Sequence, residues 1–142
     1  MPCNDINALA DTTKQKAILL FQKCKANGIE LVMVETKREL ITQLIYYLQG
    51  RLDTDDIPEL NKIRKTLNLY ELPEDKAKAK ITWTLKSKHI EGKAFDVVVK
   101  VDGKLSYNIS GKMWEMIGSI GESVGLVWGG RWKERDYPHF EE

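Results

Sequence analysis

The run Ala94-Phe95-Asp96-Val97-Val98-Val99, followed by Asp102-Gly103, constrains this chain more than any other stretch. β-Branched and aromatic residues favour extended backbone, and Asp-Gly is a strong two-residue hairpin signal. The sequence therefore predicts a strand over 95–101, a turn at Asp102-Gly103 and a returning strand over 104–109. Side chains alternate across a strand, so Phe95, Val97 and Val99 face one way and Asp96 and Val98 the other. A carboxylate set in such a run is costly to leave unpaired. The fold must give Asp96 a partner, either a cation such as Lys93 or Arg131 in a salt bridge or a bound divalent metal.

Around this hairpin the pattern alternates helix and strand. Residues 12–27 repeat Ala17, Leu20, Phe21 and Cys24 at helical spacing, with Gly28 as a C-terminal stop. Ile29–Glu35 reads as a central strand. A second helix over 38–49 would place Leu40, Leu44, Tyr47 and Leu48 on one face, with Gly50 closing it. Residues 52–80 are charged and turn-rich, with a short helix over 59–67, and read as a surface insertion within a single domain spanning 1–142. Ser110 is a candidate cap for a helix running to Val124, whose Trp114, Ile117, Gly121 and Val124 share a face. Gly125–Trp128 and the segment carrying His139 read as strands, and Pro138 argues for an edge position for the latter.

Composition excludes several function classes. Lys plus Arg number 22 against 21 acids, so no whole-chain field points to nucleic acid or an anionic membrane. No stretch approaches the roughly 18 apolar residues of a membrane span. The N-terminus lacks the basic start and apolar run of a secretory signal, which predicts synthesis in the cytoplasm. Cys3 and Cys24 have no CxxC spacing, and Cys24 sits in an apolar setting as a buried free thiol.

Both histidines of the chain fall in polar clusters, Ser87-Lys88-His89 before the hairpin and Asp136-Tyr137-Pro138-His139 near the end. Two imidazoles and a carboxylate are ordinary zinc ligands, and a catalytic zinc keeps three protein ligands plus a water. His89, Asp96 and His139 supply that set, for one zinc per chain. A hydrolase of this kind needs a base near the metal but not on it. Asp136, three residues before His139, fits; a turn-capping role is the alternative, and Glu134 and Glu141 are rival carboxylates. Gly129-Gly130 would permit a tight turn beside it.

SxHxxGxAxD, followed by WGGxW and DxPHF, resembles the zinc peptidases that include L-alanyl-D-glutamate endopeptidases of phage lysis enzymes and D-alanyl-D-alanine carboxypeptidases. Arg38, Gln43, Tyr47, Gly50 and Arg51 match a further element, R-x4-Q-x3-Y-x2-GR, so the resemblance covers roughly residues 15–142. It implies an α+β fold of the Hedgehog/DD-peptidase type, a small antiparallel sheet flanked by helices. It implies metal ligation at His89, Asp96 and His139 and a general base at Asp136. Arg38 would stabilise the developing oxyanion or a substrate carboxylate; a helix-start salt bridge is its alternative. Ser87, Gln43 and Trp132 would contact substrate, although Gln43 and Tyr47 also suit structural roles and Ser87 suits a loop cap. Trp83, Trp128 and Trp132 would line a groove or else belong to the core.

The function so implied is hydrolysis of the L-alanyl-D-glutamate bond in the peptidoglycan stem peptide. The protein would act as a monomeric phage or prophage endolysin released through a holin-type partner, with no membrane insertion and no separate wall-binding module. Residues 52–80 are longer and more charged than in the shortest relatives and could cover one end of the cleft. A D-alanyl-D-alanine carboxypeptidase on the same scaffold is the enzymatic alternative. A non-enzymatic, zinc-stabilised wall-binding domain is the alternative from another class.

Overall fold

In the computed structural model, which describes residues 2–142, the Asp-Gly turn forms as its chemistry requires. Asp102 and Gly103 have φ of 49° and 79°, the left-handed pair that a type I′ hairpin needs. The hairpin joins β2 (Ala94–Val101) to β3 (Lys104–Ser106), a shorter return than the sequence predicts. The other elements are α1 (Asp11–Ala26), β1 (Glu30–Glu35), α2 (Leu40–Leu48), α3 (Ile57–Thr66), α4 (Glu74–Ala77), α5 (Gly111–Ser123), β4 (Val127–Trp128) and β5 (His139–Glu141). No helix among the described residues is long and apolar enough to cross a membrane.

β2 is the hub of an antiparallel sheet ordered β1-β2-β5-β4. One side of β2 pairs with β1; the other is shared, β5 taking its first residues and β3 its last. Two strand positions differ from expectation. β1 lies at an edge, its apolar character coming from Leu31 and Met33, which pack into the core rather than between two neighbours. β5 lies inside the sheet, because Pro138 precedes the strand and gives only its carbonyl, to Val97 N at 3.0 Å. No ladder donor is lost.

Phe95, Val97 and Val99 of β2 face α1 and α5, packing with Ala17, Leu20, Cys24, Trp114, Ile117, Trp128 and Phe140. Truncating Phe95 to alanine there would cost about 3–5 kcal/mol. The start of α5 and the end of α1 follow from their sequences. Ser110 Oγ accepts from Met113 N at 3.1 Å. At the end of α1, Gly28 takes φ 77° while Ile29 N and Gly28 N reach back to Cys24 O and Lys25 O, a Schellman closure.

α2 is different. Its buried residues are Gln43 and Ile45, while Leu40 and Leu44 are exposed, the reverse of the predicted face. The helix is not laid on the main core; a polar network around Gln43 fixes it instead. Residues 52–80 carry α3 and α4, bury Ile57, Leu60 and Ala77, and are tied to the end of α2 by Gly50 N to Ala77 O at 2.9 Å.

Candidate metal centre

The sheet register assembles the site. Phe95 pairs with Phe140 and Asp96 with His139, and the stacked rings of Phe95 and Phe140, 5.7 Å apart, hold that alignment. On the other side of β2, Asp96 lies opposite Glu35 only because β1 is bulged between Met33 and Glu35. Without the extra residue Val34 would take that place and Glu35 would point to the opposite face. His89 arrives from the turn just before β2. Its main chain is held by Arg38 N donating to His89 O at 3.0 Å and by Ser87 Oγ accepting from His89 N at 3.2 Å.

His89, Asp96 and His139 offer donor atoms that all lie within 4.8 Å of one another. Asp96 Oδ1 is 3.0 Å from His139 Nδ1 and 3.5 Å from His89 Nε2. Each imidazole is fixed from behind. His89 Nδ1 lies 2.7 Å from Thr36 O; a carbonyl only accepts, so Nδ1 carries the proton and Nε2 offers a lone pair to the centre. His139 Nε2 lies 2.9 Å from Glu141 Oε1, which likewise turns Nδ1 inward. Metal-ligating histidines are typically oriented in this way. Two buried imidazole nitrogens and one carboxylate oxygen suit zinc, and three protein ligands leave room for water. Asp96 has the two histidines as partners, so the salt bridge to Arg131 does not form; Arg131 pairs with Glu115 and Glu122.

Electrostatics separate the acidic groups. Burial alone would push the Asp96 carboxyl up, but the two imidazoles beside it, His139 before His89, hold it well below the usual range. In the metal-free centre burial disfavours the His139 cation, yet Asp96 and Glu141 outweigh it and lift the imidazole to about 9. Asp136 moves the opposite way from Asp96: desolvation raises it, and the Asp96 charge adds to the rise. Glu141 is lowered, first by its hydrogen bond to His139.

Asp136, Arg38, Ser87 and Trp132 join the three candidate ligands around one cleft of about 470 Å³. Asp136 is brought close by Gly129: Asp136 N donates to Gly129 O at 2.9 Å, and a Cβ on Gly129 would meet Asp136 O at 2.5 Å. Close approach, more than turn flexibility, is therefore what this glycine provides. Glu134 does not line the cleft, while Glu141 does and is engaged with His139. Trp132 stands over His139 with ring centres 5.0 Å apart. Trp128 is a core residue and Trp83 lies outside the cleft, so of the three tryptophans only Trp132 lines it.

One expected substrate contact is corrected. Gln43 is wholly buried and lies behind the cleft wall; its Oε1 accepts from Arg38 Nη1 at 2.7 Å and its Nε2 donates to Thr84 O at 2.7 Å. An amide committed on both sides positions its neighbours and is not free for substrate. Arg38 is committed too, Nη2 donating to Glu35 Oε1. Glu35, and Tyr46, whose ring centre lies 4.9 Å from the Arg38 guanidinium carbon in the same cleft, are the neighbours that residue patterns missed. Nothing in the β1 sequence marks where a bulge will fall, and nothing in the α2 sequence marks Tyr46 as a neighbour of Arg38.

Comparison with known proteins agrees with this geometry. Residues 80–142 match the M15 peptidase family described as D-alanyl-D-alanine carboxypeptidase. Over 134 residues the chain is 30% identical to the peptidoglycan L-alanyl-D-glutamate endopeptidase CwlK of Bacillus subtilis (strain 168), covering 90% of this chain and 70% of that protein. The chain belongs to the M15 peptidase family. Among solved structures, Serratia marcescens L-Ala D-Glu endopeptidase ChiX superposes with a TM-score of 0.61 at 17% identity, over 96% of this chain and 81% of that one. The vancomycin resistance D,D-pentapeptidase VanY, solved in complex with Zn(II), gives 0.57 at 17% identity, over 94% and 71%. These likenesses establish the shared M15 fold, helices around a small antiparallel sheet, which the sequence motifs imply.

Proposed function

We propose that this M15 peptidase is a zinc-dependent peptidoglycan hydrolase that cleaves the L-alanyl-D-glutamate bond of the stem peptide. The observation that carries the reading is the three-ligand cluster of His89, Asp96 and His139 with the Asp136 carboxyl beside it in one cleft. When bound there, zinc supplies Lewis-acid polarisation of the scissile carbonyl and lowers the pKa of water to about 7.

The remaining work falls to the chain's own side chains. Asp136 takes a proton from the attacking water as its oxygen bonds to the carbonyl carbon, then passes that proton to the amine nitrogen as the C–N bond breaks. Its raised pKa suits a group that must both accept and release a proton. Arg38 lends a fixed positive charge to the negative carbonyl oxygen. With Nη1 and Nη2 held by Gln43 and Glu35, it acts as a positioned charge more than as a free fork. Ser87 shapes the His89 turn, and Trp132 gives the cleft a flat apolar wall.

The endopeptidase assignment draws support from the similarity to CwlK over most of both chains. The description of the matched family favours the rival, a D-alanyl-D-alanine carboxypeptidase. The phage lysis setting and a holin-type release partner rest on motif resemblance alone. The zinc-stabilised binding domain is the weaker reading, because Glu141 faces the outward nitrogen of His139 rather than completing a four-ligand set. Mass spectrometry of fragments released from purified peptidoglycan decides between the enzymes. Stem peptides freed with new N-terminal D-glutamate or D-isoglutamine support the proposal; free D-alanine without such termini supports the carboxypeptidase.

A further inference from the structure

Glu35 has no part in the proposed chemistry, yet it sits at the heart of the centre. It is 6% exposed, and the bulge in β1 sets it opposite Asp96. Its Oε1 lies 3.7 Å from His89 Nε2, against 3.5 Å for Asp96 Oδ1. Two carboxylates thus flank one inward-facing imidazole nitrogen, but only Asp96 belongs to the cluster of candidate ligands. Arg38 holds the other, donating from Nη2 to the same Oε1 that faces His89. The guanidinium cannot follow a moving carboxylate, because Nη1 is tied to Gln43 and Gln43 is tied to Thr84 O.

Building on the metal-centre reading above, we propose that Arg38 is a positioning residue that keeps Glu35 out of the ligand set. The centre then stays a three-ligand site with a position open to water. A carboxylate released beside a divalent cation would bind it, and a fourth protein ligand turns an open catalytic site into a closed structural one. On this account the Glu35–Arg38–Gln43 chain does for metal geometry what Thr36 and Glu141 do for the imidazoles.

The test is zinc affinity, measured on the whole chain by competition with a chromophoric chelator and independent of turnover. Arg38→Met should bind zinc at least about tenfold more tightly than wild type, within the range by which outer partners tune metal sites. Glu35→Gln alone should stay near the wild-type value. In the double variant Arg38→Met/Glu35→Gln the tightening should vanish, a non-additivity that marks direct coupling. Arg38→Met/Glu35→Asp separates ligation from field: it keeps the charge but shortens the reach, so ligation predicts the gain is lost. If Arg38→Met does not fold, Arg38→Lys replaces it; one ammonium cannot hold Glu35 and Gln43 together, so a smaller, Glu35-dependent tightening is expected. Unchanged or weakened affinity in the Arg38 variant overturns the proposal. So does tightening that persists with Gln or Asp at position 35. Failure of the wild-type chain to bind zinc would instead strike the metal-centre reading itself.

Discussion

The floor and the wall of the cleft are built by different means. The floor is sheet: Asp96 and His139 face each other because β2 and β5 are in register, and Phe95 stacked on Phe140 fixes that register. The wall is a polar network with Glu35 and Gln43 buried, in which the Glu35, Arg38 and Gln43 side chains hold one another and end on the Thr84 carbonyl. A backbone ladder holds its residues through many main-chain N–H to C=O bonds, none of which depends on a single side chain. A network fails as a unit when one member is lost. Substitutions of the floor's chemical side chains should therefore remove a chemical function and leave the fold, while substitutions in the wall should cost stability and positioning together.

The largest effect is expected from stripping the floor of its metal. A chelator should abolish hydrolysis of peptidoglycan, and added zinc should restore it with the far-ultraviolet circular dichroism unchanged; activity that survives full chelation would break the comparison at its base. Next comes Asp136→Asn, which should keep its zinc and fold but lose catalysis by about 10²–10⁴-fold, the contribution of a positioned acid/base group. Near-normal turnover in that variant, with zinc intact, would move the base to Glu141, the rival carboxylate that lines the cleft.

A wall variant should behave otherwise. Gln43→Ala leaves Arg38 Nη1 without its partner and Thr84 O with Thr82 Oγ1 alone, and an unpaired buried group costs about 1–3 kcal/mol. Denaturant titration should show that loss alongside a fall in kcat/KM; a fall in activity with unchanged stability would mean that Gln43 meets substrate after all. The smallest effect is a pH dependence of the metal-free floor. His139 is raised from 6.5 to about 9 in the folded chain, so its contribution is full below the unfolded value and lost as pH rises through about 9. Chelated protein should lose stability across that window, and zinc, which requires the neutral imidazole, should flatten the curve. A chelated protein equally stable at pH 6 and pH 10 would show that the His139–Asp96–Glu141 contacts contribute little.

The same division explains what could be read from the residues. The floor was legible, since a carboxylate in an apolar strand and two histidines in polar turns advertise a shared need for a partner. So were the hairpin at Asp102-Gly103 and the ends of α1 and α5, where local chemistry decides the backbone. The wall was not. The bulge that turns Glu35 inward depends on how β1 meets β2, and no pattern within β1 encodes it. The buried face of α2 is not the one its leucines suggest: Leu40 and Leu44 look like core residues, whereas Gln43 is buried by the partners it finds. β5 lies inside the sheet where Pro138 suggests an edge, because the proline precedes the strand rather than sitting in it, and β1 takes an edge because which strands flank it is set by the sheet order and not by its own residues.

Metal analysis of His89→Ala and His139→Ala, beside wild type and Asp136→Asn, tests the central claim most directly. The account predicts about one zinc per chain in wild type and Asp136→Asn, by the three-ligand stoichiometry of a catalytic site, and severe loss of zinc in both histidine variants. Full zinc occupancy in both histidine variants, or none in wild type, would contradict it.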